Sequence, residues 1–162
     1  IPSDRVLVQS APWVLWTDPK HPVAQEAYLL GIMSSIITDW WMRRFIEGHA
    51  DEEAFACLRV PDADSSTGLG AKVVALASRL ACQDERFAEW AKAVGAKQGV
   101  LAPDEKQNAI EELDAVVARL YGLSPDQLTH IFNTFHDWPD NSQAIIWAAR
   151  RDRTVTIFRS LS

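Results

Sequence analysis

Cysteine is scarce in this chain of 162 residues: Cys57 and Cys82 are the only two. Two cysteines cannot build a disulfide framework and do not sit at metal-ligand spacing, so they read as reduced thiols of a cytosolic protein. Long apolar runs are also missing. The longest, residues 28–37, falls short of the ~18 needed to span a bilayer and lies inside an amphipathic pattern, so no membrane partner is expected. No charged-then-apolar leader opens the chain. Positive charge is in the minority, with 16 Lys and Arg against 22 Asp and Glu, and the net charge of −6 makes the whole chain a poor magnet for polyanions. What basic charge there is collects at one end. Residues 149–162 hold Arg150, Arg151, Arg153 and Arg159 against Asp152 alone, a local +3, so the other 148 residues sum to −9.

Several catalytic signatures are absent as well. There is no Gly-x-Ser-x-Gly elbow, and Gly68 with Gly70 is only a lone Gly-x-Gly in a loop. His130 and His136 are six apart, which does not place them on one helix face as paired zinc ligands, and His49 with Cys57 is no more than a pair. Asp4 followed by Asp18-Pro19-Lys20 loosely imitates a Mg²⁺ nuclease centre, which needs carboxylates on adjacent strands and a lysine by the attacking water. Pro19 inside that motif reads as an ordinary turn. No catalytic and no metal-binding residue is assigned.

Apolar residues at 48% and charged residues at 23% describe an ordinary globular chain. Residues 5–9 and 13–17 are β-branched and aromatic and read as two short strands, too few for a sheet of their own. From Val23 the apolar spacing becomes helical, and one helix is predicted up to about residue 45–47, with Gly48 as its stop. Gly31, Ser34 and Ser35 midway along it predict a close crossing by another element. Helical spacing resumes at Val73–Ala81. Asp84 then reads as the N-cap of a short helix carrying Phe87, Trp90 and Val94 and ending at Gly95. Residues 104–121 place Ile110, Leu113, Val117, Leu120 and Tyr121 on one face, with Gly122 as the stop. Ser124, Pro125 and Gln127 form a capping box opening the next helix, so residues 104–135 are predicted to fold as a helical hairpin.

Two readings fit the Asp39-Trp40-Trp41-Met42-Arg43-Arg44 segment. Trp40 and Trp41 could stack on bases while Arg43 and Arg44 meet phosphates. Alternatively, one tryptophan is core, the other half exposed, and the arginines pair with Asp39 or Glu47. The C-terminal Arg150, Arg151 and Arg153 divide in the same way, between a DNA-backbone patch and a solvated helix end.

Several stretches together resemble the large bacterial restriction–modification proteins that carry an adenine-N6 DNA methyltransferase domain, including the type II endonuclease-methyltransferases. They are residues 1–7, 11–16, 27–35, 39–45, 58–61 and 73–80, then Glu112-Leu113-Asp114-Ala115-Val116-Val117-Ala118-Arg119-Leu120-Tyr121-Gly122-Leu123, and the Leu128-Thr129-His130-Ile131-Phe132-Asn133-Thr134-Phe135 helix. The order holds over roughly residues 1–138. Such proteins bind S-adenosylmethionine and present an Asn/Asp-Pro-Pro-Tyr/Phe motif to a flipped adenine. None of the eight prolines here follows another, and there is no glycine-rich cofactor turn. The resemblance therefore implies a non-catalytic, C-terminal helical segment supporting DNA recognition. Its partners would be DNA and the N-terminal methyltransferase domain, with S-adenosylmethionine held by the parent protein. A protein-interaction scaffold docking a partner subunit is the rival reading. The expected fold is mainly α: a β-rich remnant of the target-recognition region over 1–20, a helical domain with the hairpin over 21–138, and a basic tail or helix over 139–162.

Overall fold

Residues 16–18, 20–44, 55–135 and 141–161 are described in the computed structural model. Among them the chain is mainly α, with seven α-helices, one 3-10 turn and no strand. In order these are α1 (Val23–Met33), α2 (Ile36–Met42), α3 (Gly68–Ala81), the turn Glu85–Phe87 running into α4 (Ala88–Val94), α5 (Pro103–Leu120), α6 (Pro125–Asn133) and α7 (Asn141–Ser160). The N-terminal β element expected over residues 1–20 falls almost wholly outside the described residues, as do Asp4, Glu47, Gly48, His49 and His136. No helix among the described residues is long and apolar enough to cross a membrane.

The single helix predicted from Val23 to about residue 45–47 is broken. Ser35 adopts an extended conformation (φ −81°, ψ 154°) between α1 and α2. Its Oγ accepts the Thr38 N–H at 3.3 Å and donates to the Ile32 carbonyl at 2.8 Å, while the Thr38 hydroxyl donates to the same carbonyl at 2.6 Å. The Ile36 N–H, an orphan donor of the new helix, is taken by Asp114 Oδ1 at 2.8 Å. A buried side chain from α5 thus stabilises the start of α2, and the turn can sit inside the core because its polar groups are paired.

The crossing predicted at Gly31 is present. A Cβ there would lie 2.4 Å from Val73 Cγ1 and 3.1 Å from Ala77 Cβ, so α1 approaches α3 to a distance only glycine allows. Helices α1, α3, α5 and α7 pack in succession, α2 lies against α5, and α6 fills the angle between α7 and α2. The α5 helix is the centre of this arrangement. Residues 113–118 of it are buried without interruption, whereas the sequence predicted a single apolar face. The difference follows from its neighbours: α3, α7 and α2 surround the middle of α5, and small Ala115 and Ala118 let them come close.

The hairpin ends as its sequence predicts. Gly122 takes φ +67°, its N–H donates to Arg119 O at 2.9 Å, and the Leu123 N–H reaches back to Ala118 O at 3.1 Å. Ser124 Oγ accepts the Gln127 N–H and Gln127 Oε1 accepts the Ser124 N–H, closing the capping box. Residues 139–162, read as a basic tail or helix, contribute α7, and its Val155 and Phe158 belong to the same hydrophobic core as α1, α3 and α5.

Candidate nucleic-acid interface

The C-terminal half of α2 carries the segment with two readings. Trp40 and Trp41 are both half-buried, so neither is a fully enclosed core residue, while Arg43 and Arg44 are exposed in the turn that ends the helix. Arg44 lies over the Trp40 ring, 4.7 Å from its centroid. Arg43 lies over Phe135 at 5.0 Å and also pairs with Asp39 one turn back, its Nε to Oδ1 at 2.9 Å. That ion pair is exposed, a kind usually worth only ~0.3–0.5 kcal/mol. Arg44 is therefore steadied by an aromatic face, while Arg43 is shared between the Phe135 ring and a two-point pair with Asp39, the pairing that the alternative reading expects.

Phe135 continues the arrangement. It packs against Trp147 of α7, ring centroids 5.3 Å apart, and Trp147 packs against Phe132 at the same distance. The Trp147 indole N–H donates to the Phe132 carbonyl at 2.9 Å, and Arg150 lies 5.1 Å from the Trp147 ring. Arg43, Phe135, Trp147 and Arg150 thus form a ladder of alternating cations and rings joining α2, the end of α6 and α7.

The arginines of α7 point to other partners. Arg150 Nη2 donates to Asp114 Oδ2 at 2.6 Å, and Arg153 grips Glu111 with Nε and Nη2 at 2.9 and 2.6 Å. Glu111 and Asp114 are almost completely buried, at 1% and 0% exposure. Burial pushes the Glu111 carboxyl up, but hydrogen bonds from Arg153 and Gln107 together with the nearby guanidiniums outweigh it and hold the group below its ordinary range. Arg151 donates from Nη1 to Asn133 Oδ1 and from Nε to Asp152 Oδ1, both at 2.9 Å. The three arginines expected at a DNA-backbone patch or a solvated helix end thus have intramolecular partners, and α2 and α7 meet through the ring ladder.

The two acids of α5 escaped the sequence reading, although a signal for them exists. Glu111 and Asp114 are three apart on one helix, Arg150 and Arg153 three apart on another, so opposite charges repeat at one spacing on two helices. Phe135 and Trp147 left no comparable trace. Among the described residues no group of three His, Cys, Asp or Glu side chains converges as a metal cage would require.

Trp40 also borders a cavity of about 330 Å³. Its walls come from α2 (Ile37, Thr38, Trp40, Trp41), residues 57–59, the hairpin turn (Tyr121, Leu123) and Ile131 of α6. Arg59 and Tyr121, to which the sequence reading gave no functional role, join the two tryptophans here.

No family model, curated protein or solved structure matches this chain.

Proposed function

We propose that the chain is a non-catalytic helical segment that supports DNA recognition within a larger restriction–modification adenine-N6 DNA methyltransferase, one that also includes endonucleases in its class. The resemblance supplies the class. The observation that carries the DNA role is the end of α2, where Arg43 and Arg44 stand exposed beside ring faces that hold them. In this reading the two guanidiniums meet phosphates and set the register of the duplex without choosing its sequence. Methyl transfer from S-adenosylmethionine is the work of the parent's N-terminal domain. Residues 1–20 contribute a small β element to its target-recognition region, and the whole acts in the cytoplasm. Arg150, Arg151 and Arg153 stabilise α7 against α5 and α6 and steady the ring ladder from behind.

The test is a salt titration of duplex binding by the full chain. Log affinity falls with log salt in proportion to the phosphates neutralised, so Arg43→Ala with Arg44→Ala should flatten the slope by about two. An unchanged slope and affinity in that double variant would remove the phosphate role.

A second reading, a scaffold docking a partner subunit, draws on Ile145 and Ile146 near the start of α7, which are 70% and 67% exposed. Adjacent exposed isoleucines suit an apolar contact with another protein.

A further inference from the structure

The cavity beside Trp40 has a lining with a definite chemical preference. Trp40, Trp41 and Tyr121 supply rings, Ile37, Leu58, Leu123 and Ile131 supply apolar wall, and Thr38, Cys57 and Arg59 complete it. Among the described residues that line it there is no carboxylate. Arg59 is exposed and Arg44 lies over the Trp40 ring, so the cationic groups stand near the rings. Aromatic walls beside guanidinium groups favour a ligand that is planar at one end and anionic at the other.

A planar heterocycle bearing a phosphate meets both features, because its π-face stacks on the rings and its anion pairs with a guanidinium. The volume of about 330 Å³ is at the small end of ligand pockets, the scale of one such ring system with its sugar.

We propose that this cavity is a nucleotide pocket, taking one unpaired nucleobase between its aromatic walls with the attached phosphate on Arg59. The occupant is either a free mononucleotide or an extrahelical nucleotide of bound DNA. The second source rests on the DNA role proposed above, and Arg43 and Arg44 follow in the chain within four residues of the pocket's two tryptophans. Base–aromatic stacking tolerates every base, so the pocket would respond to unpairing and not to sequence.

The protein carries its own reporter. Cys57 is exposed and borders the cavity, whereas Cys82 is buried and burial pushes its thiol up, keeping it unreactive. Alkylation of Cys57 by N-ethylmaleimide, followed by mass spectrometry on the full chain, reads occupancy directly. The probes are adenosine and cytidine 5′-monophosphates, a duplex with one bulged adenine, and the same duplex fully paired, each also followed for binding by anisotropy or calorimetry. A bulged duplex should slow alkylation several-fold while the paired duplex, though bound, should not. Protection by the monophosphates alone assigns the pocket to free nucleotides. Arg59→Ala, at an exposed position, should raise the concentration for half-protection about tenfold. Trp40→Phe should weaken protection while keeping a ring. Bound bulged duplex with an unchanged Cys57 rate, and no protection by monophosphates, would overturn the pocket and leave the DNA role standing. Equal protection by paired and bulged duplexes, untouched by Arg59→Ala, would also overturn it. Failure of both duplexes to bind would remove the DNA role, and the pocket would then stand or fall on the monophosphates.

Discussion

Gly31 shows how much one missing methyl group decides. Its hydrogen occupies the space where a Cβ would run into Val73 Cγ1 at 2.4 Å. Gly31→Ala should therefore lower stability by about 1–3 kcal/mol through overpacking, even though alanine adds about 1 kcal/mol in an open helix. Urea unfolding with an unchanged slope is the measurement, and a more stable variant would contradict the packing. His21 makes a second residue-scale point. It stacks on Trp16 with ring centroids 4.6 Å apart, donates to the Asp18 carbonyl and pairs with Glu26, which also accepts the Trp90 indole N–H. The Glu26 hydrogen bond, then that of Asp18, raises the imidazole above its ordinary 6.5. Burial pushes Glu26 up, but its bonds from His21 and Trp90 outweigh this and leave it lowered. The stability His21 contributes is complete below pH 6.5 and is lost as pH rises through its raised pKa. That of Glu26 is present above its unfolded value of about 4.5 and is lost as pH falls through its lowered one. The clasp is strongest between those limits. An NMR titration should place the His21 midpoint above 6.5, and Glu26→Gln should bring it down. The close approach at Gly31 was legible because small residues cluster there. The break at Ser35 was not, since apolar spacing runs straight across it and the deciding carboxylate lies 78 positions further along the chain.

Among the elements, the α5–α6 hairpin was legible because its signals are local: Gly122 at the stop of one helix, and Ser124, Pro125 and Gln127 at the start of the next. The role of α7 was not, because its partners lie 36 and 42 residues away and a run of arginines reads as basic surface until they are found. Arg150 is the more enclosed of the two cations. Its side chain is 23% exposed against 50% for Arg153. Burial pushes the Asp114 carboxyl up even with Arg150 beside it, so Arg150→Ala should cost about 3–5 kcal/mol, because the enclosed acid must then stay charged without its cation or take up a proton. Arg153→Ala should cost clearly less, because water can reach the vacated side of its pair. Thermal or urea unfolding of the two variants side by side checks the order, and a double-mutant cycle with Asp114→Asn isolates the coupling.

For the whole molecule, the count of basic residues misstates where positive potential is available. Two of the four arginines that give residues 149–162 their local +3 are matched by Glu111 and Asp114, buried acids of the interior. The exposed guanidiniums that border the tryptophans, Arg43, Arg44 and Arg59, come from 17 residues of sequence and were only partly visible as a motif. If they account for DNA binding, the wild-type log–log salt slope is about −2 to −3, small enough that affinity for duplex alone is weak at physiological salt. A far steeper slope would point to cations elsewhere. The cavity was illegible for a different reason. Its walls are drawn from four segments, and only their packing makes Tyr121 and Arg59 neighbours of Trp40.

The first amide of α2 hangs from Asp114, and Asp114 is held in turn by Arg150. A shortened chain that stopped before Asn141 would keep Trp40, Trp41, Arg43 and Arg44 and lose their posture. The hook that orients α2 would be strung on an acid without its counterion, and Phe135 would lose the ring behind it. The trailing helix would then govern, at a distance, a surface to which it contributes few of its own side chains.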